Sequence, residues 1–128
     1  MPVTYSIDAE RRRIATRCED FTTLREVLAH FDELELDPAC PRDADVLLDL
    51  TEMSLAIPKF DEIRSAAARA DDASRRVRFG SCAVLVGNEA MFGMARVFGA
   101  FANRAFPRIS VFRSREAAEE WLETRCAN

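Results

Sequence analysis

Two stretches of this chain are apolar without alternation: Val46-Leu47-Leu48 within DVLLDL (Asp45–Leu50), and SCAVLVG (Ser81–Gly87). A strand that faces water on one side alternates apolar with polar residues, whereas one covered on both sides reads as a continuous apolar run. Strands of the second kind belong to sheets with helices packed on both faces. That requirement constrains the fold more than any other feature of the sequence.

The neighbouring segments supply the rest of such a fold. VTYSID (Val3–Asp8) alternates through Val3, Tyr5 and Ile7, and Arg13–Cys18 alternates through Ile14, Thr16 and Cys18. With the short polar link AERR between them, the two read as an antiparallel hairpin with one buried face. The link lacks Asn-Gly or Asp-Gly, so its turn type stays open. In TTLREVLAHFDELEL, Leu24, Val27, Leu28, Phe31 and Leu34 recur at helical spacing, and Thr23 with Glu26 matches a capping box. His30 lies off that apolar stripe and is expected at the surface. DPACPRD ends the helix with two prolines.

A second helix is expected from Pro58, with Phe60, Ile63 and Ala67 inward, because proline suits a first helical position. A third follows in NEAMFGMARVFGAFANR, capped by Asn88, and a fourth in SREAAEEWLETRC, capped by Ser114 with Ala118, Trp121 and Leu122 inward. RISVFR (Arg108–Arg113) is the last strand. The expected order is β-β-α-β-α-β-α-β-α: one α/β domain over residues 1–128, with a mixed five-stranded sheet and four helices. The length suits a single core, and 48% hydrophobic with 31% charged residues is a globular composition.

Composition also bounds function. A net charge of −4 makes nucleic acid a poor partner. The basic groups Arg11-Arg12-Arg13 and Arg75, Arg76, Arg78 are local and read as solvated surface. No apolar run approaches a membrane span, and MPVTYSIDAE lacks the pattern of an export leader. Cys18, Cys40, Cys82 and Cys126 are scattered without CxxC, and the single His30 completes no metal cluster. A reduced, cytoplasmic protein without metal or cofactor is the expectation.

In open α/β sheets, ligands and modification sites gather beyond the carboxyl ends of the strands. Here those ends are Asp49-Leu50-Thr51, Gly87-Asn88-Glu89 and Ser114. A response-regulator receiver is excluded. Its chemistry needs an acidic pair after the first strand, but Asp8 and Glu10 sit in a hairpin turn. It also needs a lysine after the last strand, and the only lysine is Lys59. The element order and the stretch VLLDLTEMSLAIPKFDEI instead resemble the anti-sigma factor antagonist family, the SpoIIAA-like or STAS-type domains. In that family the strand ends in Asp-Leu-Ser/Thr, a short apolar loop follows, and Asp-Ser-Ser-Gly opens the helix. Asp49-Leu50-Thr51 matches, and the stretch from Glu52 to Ala56 looks like the loop. Ile57-Pro58-Lys59-Phe60 falls where the phosphoacceptor serine would stand.

A phosphoserine is favoured at a helix N-terminus because free amides and the dipole stabilise its charge. Pro58 has neither hydroxyl nor amide proton, so the switch cannot run at that position. Thr51 and Ser54 are nearby hydroxyls, read as turn-forming or capping groups, with relocated phosphorylation the lesser alternative.

The third helix carries Met91, Phe92, Met94, Val97, Phe98 and Phe101, with Phe106 beyond, over more than half of a helical wheel. Either its neighbours cover that surface, or part of it remains for a partner, a second copy or an apolar ligand. No GxxxxGK, C-x5-R or serine-elbow motif supports an enzyme, and the scattered carboxylates define no acid–base pair. The resemblance implies a non-enzymatic regulatory domain working by protein contact, here without the family's usual phosphoacceptor serine. Its contact residues would be Thr51, Met53, Ser54, Leu55, Ile57, Pro58 and Lys59, beside Asn88, Met91, Phe92 and Arg96. The alternative is a small apolar-ligand module walled by the third helix, with Asn88 and helix amides on a polar head.

Overall fold

The computed structural model describes residues 3–19, 26, 29–30, 33–34, 36–40, 43–52, 61, 64–65, 68, 79–101 and 108–126. Five strands form one sheet: β1 (Val3–Asp8), β2 (Arg13–Cys18), β3 (Ala44–Asp49), β4 (Phe79–Leu85) and β5 (Arg108–Phe112), adjacent in that order. β1 and β2 are antiparallel, and every later pair is parallel. The continuous helices are α1 (Glu89–Phe101) and α2 (Arg115–Cys126). The α/β class and the mixed five-stranded sheet are as the sequence led one to expect.

Of the four expected helices, the described residues form two. Elsewhere only separate helical residues are described: Glu26, Ala29, His30, Glu33, Leu34 and Leu36, then Asp61, Arg64, Ser65 and Ala68. Thr23, Leu24, Val27, Leu28, Phe31, Phe60, Ile63, Ala67 and Phe106 lie outside the described residues, as do Arg75, Arg76 and Arg78.

The hairpin turn over residues 9–12 closes without glycine. Arg12 adopts a φ of 54°, in the left-handed region, and the Asp8 carboxylate accepts the Arg11 amide at 3.1 Å. Where β3 meets β4 the register slips: Ala44 pairs with Phe79, but Val46 pairs with Cys82. The extra residue in β4 is a bulge. Asp45, 4% exposed, accepts the Ser81 amide there at 2.8 Å.

The sheet advances in one direction from β2 to β5. One face of the sheet is packed by α1 and by Leu34. That face holds the larger core: Ile14, Cys18, Val46, Leu48, Cys82, Val84 and Val86 pack with Leu34 and with Met91, Met94, Ala95 and Phe98 of α1. Burial of each large apolar side chain contributes about 1.5–3 kcal/mol. On the other face Leu47 and Ala83 pack against Ala118 and Leu122 of α2. Continuous apolar β3 and β4 are therefore covered on both sides. The outer face of β1 and β2 has Thr4, Ser6 and Arg17 exposed.

Two expected surface groups are buried. Arg13 is 8% exposed and reaches Glu123 of α2 at 2.9 Å, so only Arg11 and Arg12 of the triplet are solvated. His30 is 2% exposed, with Nε2 at 2.7 Å from Thr16 Oγ1. Thr16 stands on the buried face of β2 between Ile14 and Cys18, and its hydroxyl needs a partner that an apolar side chain cannot supply.

Candidate functional site

The carboxyl ends of β3 and β4 meet the start of α1, and the polar groups there are bound to one another. Asp49 Oδ1 accepts from the Thr51 amide at 2.9 Å and from its hydroxyl at 2.6 Å. Aspartate favours such turns because its side chain bonds the backbone two residues on. Asp49 Oδ2 meets Arg115 Nη1, at the first turn of α2, at 3.3 Å. Arg17 of β2 is paired with Glu52, and Arg113 with Glu89. Gly87 lies against this turn: a Cβ at that position would stand 3.1 Å from the Thr51 carbonyl oxygen. The glycine lets the β4–α1 connection approach the β3 terminus.

Asn88 performs the role its residue type suggests. Its Oδ1 accepts the Met91 amide at 2.9 Å, and its carbonyl accepts the Phe92 amide at 2.9 Å. This satisfies an N–H that has no partner within the helix. Ser114 caps α2 similarly, its Oγ accepting the Ala117 amide at 3.3 Å.

Of the residues expected at a contact face, Thr51 and Asn88 are exposed, Arg96 is exposed and Phe92 is half-buried. Met91 is 3% exposed and belongs to the core. Met53, Ser54, Leu55, Ile57, Pro58 and Lys59 lie outside the described residues. Most of the Met/Phe-rich surface of α1 is thus covered by its own sheet, through Met91, Met94 and Phe98.

What remains open on α1 is its flank toward β5. A groove of about 490 Å³ there is lined by Phe92, Arg96, Gly99, Ala100 and residues 109–111. The Arg96 guanidinium lies 5.9 Å from the Phe92 ring centroid. On the opposite sheet face, a polar cleft of about 260 Å³ runs between β1–β2 and α2, lined by Thr4, Ser6, Ala15, Arg17, Asp49 and Arg115. The expected apolar wall on α1, with Phe92 and Arg96, coincides with the first groove; the second cleft was not legible, because its lining comes from β1, β2, β3 and α2, elements distant in the chain.

Burial holds the titratable groups of the core toward their neutral forms. Burial lowers the His30 pKa to about 4, so the ring is neutral at neutral pH. Tyr5, its ring centroid 5.1 Å from that of His30, donates its hydroxyl to Asp37 at 2.7 Å. That bond to a carboxylate, with burial, pushes the phenol up to about 12. Burial pushes the Cys18 thiol up to about 12 and raises Cys82 as well. Among the described residues no cluster of His, Cys, Asp and Glu could hold a metal ion, and no helix is long and apolar enough to cross a membrane.

Comparison with protein-family models, with curated proteins and with solved structures finds no match for this chain.

Proposed function

We infer that this chain is a non-enzymatic, cytoplasmic regulatory domain that acts by protein–protein contact, as its resemblance to the anti-sigma factor antagonists implies. It works without the phosphoserine switch of that family. The contact face comprises Thr51 and the segment Met53–Lys59 that follows it in sequence, together with Asn88, Phe92 and Arg96.

The observation that carries this reading is the engagement of Asp49 at the end of β3. Its Oδ1 accepts the Thr51 hydroxyl at 2.6 Å and its Oδ2 meets Arg115 at 3.3 Å. The Thr51 hydroxyl is spent on a carboxylate. A phosphoryl group on it would displace that bond and bring its charge beside Asp49 and Glu52, where like charges repel. Pro58 removes the hydroxyl from the family's own acceptor position. With the Thr51 hydroxyl engaged and proline at the family's acceptor position, docking is the activity this reading assigns to the strand end.

Cross-linking followed by mass spectrometry, with the intact chain in lysate of its source cell, tests the reading. Cross-links from one partner protein to Lys59 and to the start of α1 support it. Stoichiometric phosphate on Thr51 or Ser54, lost in Thr51→Ala or Ser54→Ala, would replace it with a relocated switch. Native mass spectrometry addresses the apolar-ligand alternative: a retained lipid-sized adduct favours a carrier, and the bare protein mass favours docking.

A further inference from the structure

We propose that β5 is a strand-addition site for an extended, acidic segment of the partner protein, with Arg96 reading the acidic residue. The inference rests on the protein-contact reading above and extends its contact face, through Phe92 and Arg96, to a chemically defined strand edge.

Among the described residues β5 is an edge strand, hydrogen-bonded to β4 alone. Successive residues of a strand direct their amides and carbonyls to opposite sides. The Phe112 carbonyl accepts the Val86 amide at 2.9 Å, so Arg108, Ser110 and Phe112 face β4. Ile109 and Val111 therefore turn their N–H and C=O groups to the free edge. Edge strands are ordinarily blunted by lysine, proline, bulges or a covering element. β5 contains no lysine or proline, and its pairing with β4 runs without a register shift.

The flank of that edge is shaped for side chains. The groove between β5 and α1 offers the Phe92 ring and the small residues Gly99 and Ala100. Gly99 faces the Ile109 side chain, 3.7 Å from where its Cβ would stand. An added strand would place alternate side chains in this groove, the arrangement by which strand addition gains specificity.

Charge selects the occupant. Arg11, Arg17, Arg113 and Arg115 each hold a carboxylate. Arg108 lies 4.4 Å from the Trp121 ring centroid. Arg96, exposed at the groove, meets no carboxylate among the described residues. A second copy pairing β5 with β5 about a two-fold axis would bring both Arg96 side chains to one seam, where like charges oppose association. An acidic strand meets the same groove with complementary charge. The opposite edge, β1, presents the polar Thr4, Ser6 and Asp8 on its exposed face.

Fluorescence anisotropy with the intact chain tests the proposal. The probe is a fluorescein-labelled peptide of alternating valine and threonine, with glutamate at one central valine position. Saturable binding is expected, about tenfold weaker for the same peptide with lysine in place of glutamate. Arg96→Glu, an exposed substitution that leaves the fold intact, should invert that preference. N-methylation of alternate peptide amides should abolish binding, because it removes the strand hydrogen bonds. Equal binding of the glutamate and lysine peptides, or undiminished binding of the N-methylated one, would overturn the assignment. So would a dimer in sedimentation that excludes the peptide, which would assign the edge to a second copy. If the peptide fails while a partner still cross-links to Lys59, this inference falls and the docking function stands.

Discussion

The single histidine allows a clean test of what holds the β1–β2 hairpin to the helical residues beneath it. His30 is buried against Thr16 and Tyr5, and its pKa falls from 6.5 to about 4 because burial penalises the charged ring. In the unfolded chain the imidazole takes a proton as pH drops through about 6.5; in the folded chain it does so only near 4. Between those values the unfolded state binds more protons, so stability declines on acidification. Each unit of difference is worth about 1.4 kcal/mol, so about 3 kcal/mol is lost by pH 4.

The polar neighbours do not titrate in the upper part of that window. Hydrogen bonding to Tyr5 holds the Asp37 carboxyl below its usual range, and the Tyr5 phenol is pushed up to about 12. His30→Gln keeps a group able to bond Thr16 and removes the titration. Urea unfolding followed by circular dichroism at about pH 7 and about pH 5 gives the comparison. The native chain should lose about 2 kcal/mol more than the variant over that interval. Equal losses in the two proteins would refute the argument, because they would mean that His30 is protonated in the folded state much as it is when unfolded.

Three further outcomes follow from the geometry. Gly87→Ala should destabilise by about 1 kcal/mol or more, because its Cβ would press on the Thr51 carbonyl oxygen. Gly93→Ala on α1, where a Cβ meets nothing within 4 Å, should stabilise by about 0.5–1 kcal/mol; thermal melts of the two variants should shift in opposite directions. Asp45→Ala removes the acceptor of the buried Ser81 amide and should cost about 1–3 kcal/mol, while Asp45→Asn, which keeps an acceptor, should cost less in the same urea assay. Cys18 and Cys82, buried and with raised pKa values, should resist iodoacetamide in the native protein and react in denaturant, read by peptide mass spectrometry.

The sheet was legible because period-two alternation and unbroken apolar runs are local signals. β1 and β2 begin and end where the alternation does. β4 occupies Phe79–Leu85, two residues earlier at each end than the apolar run Ser81–Gly87, and its start carries the bulge at which Asp45 accepts the Ser81 amide. Gly80, at that bulge, is the local signal the apolar run hides, since an isolated glycine inside a strand marks such a site. His30 was misplaced for a similar reason. A wheel drawn from apolar residues alone excludes a histidine, yet Thr16 on the buried face of β2 already signalled a polar partner in the core. In α1, Met91, Met94, Ala95 and Phe98 form the buried stripe, and Phe92 and Val97 flank it half-buried. The excess width of that apolar face marks the side turned toward β5.

A polar group can recognise a partner where its own bonding is incomplete. At the carboxyl ends of the strands, the usual place for chemistry in such sheets, Asp49 binds both Thr51 and Arg115, and Asn88 caps α1. A group so engaged must break its bonds before it can act on a substrate. The sheet order leaves a different opening. Because the strands advance steadily from β1 to β5, the last strand has one neighbour among the described residues, and the α1 flank beside it carries Arg96. Backbone donors and acceptors on Ile109 and Val111, an apolar groove and a cation there lack only a complementary strand, and an acidic one meets all three demands at once.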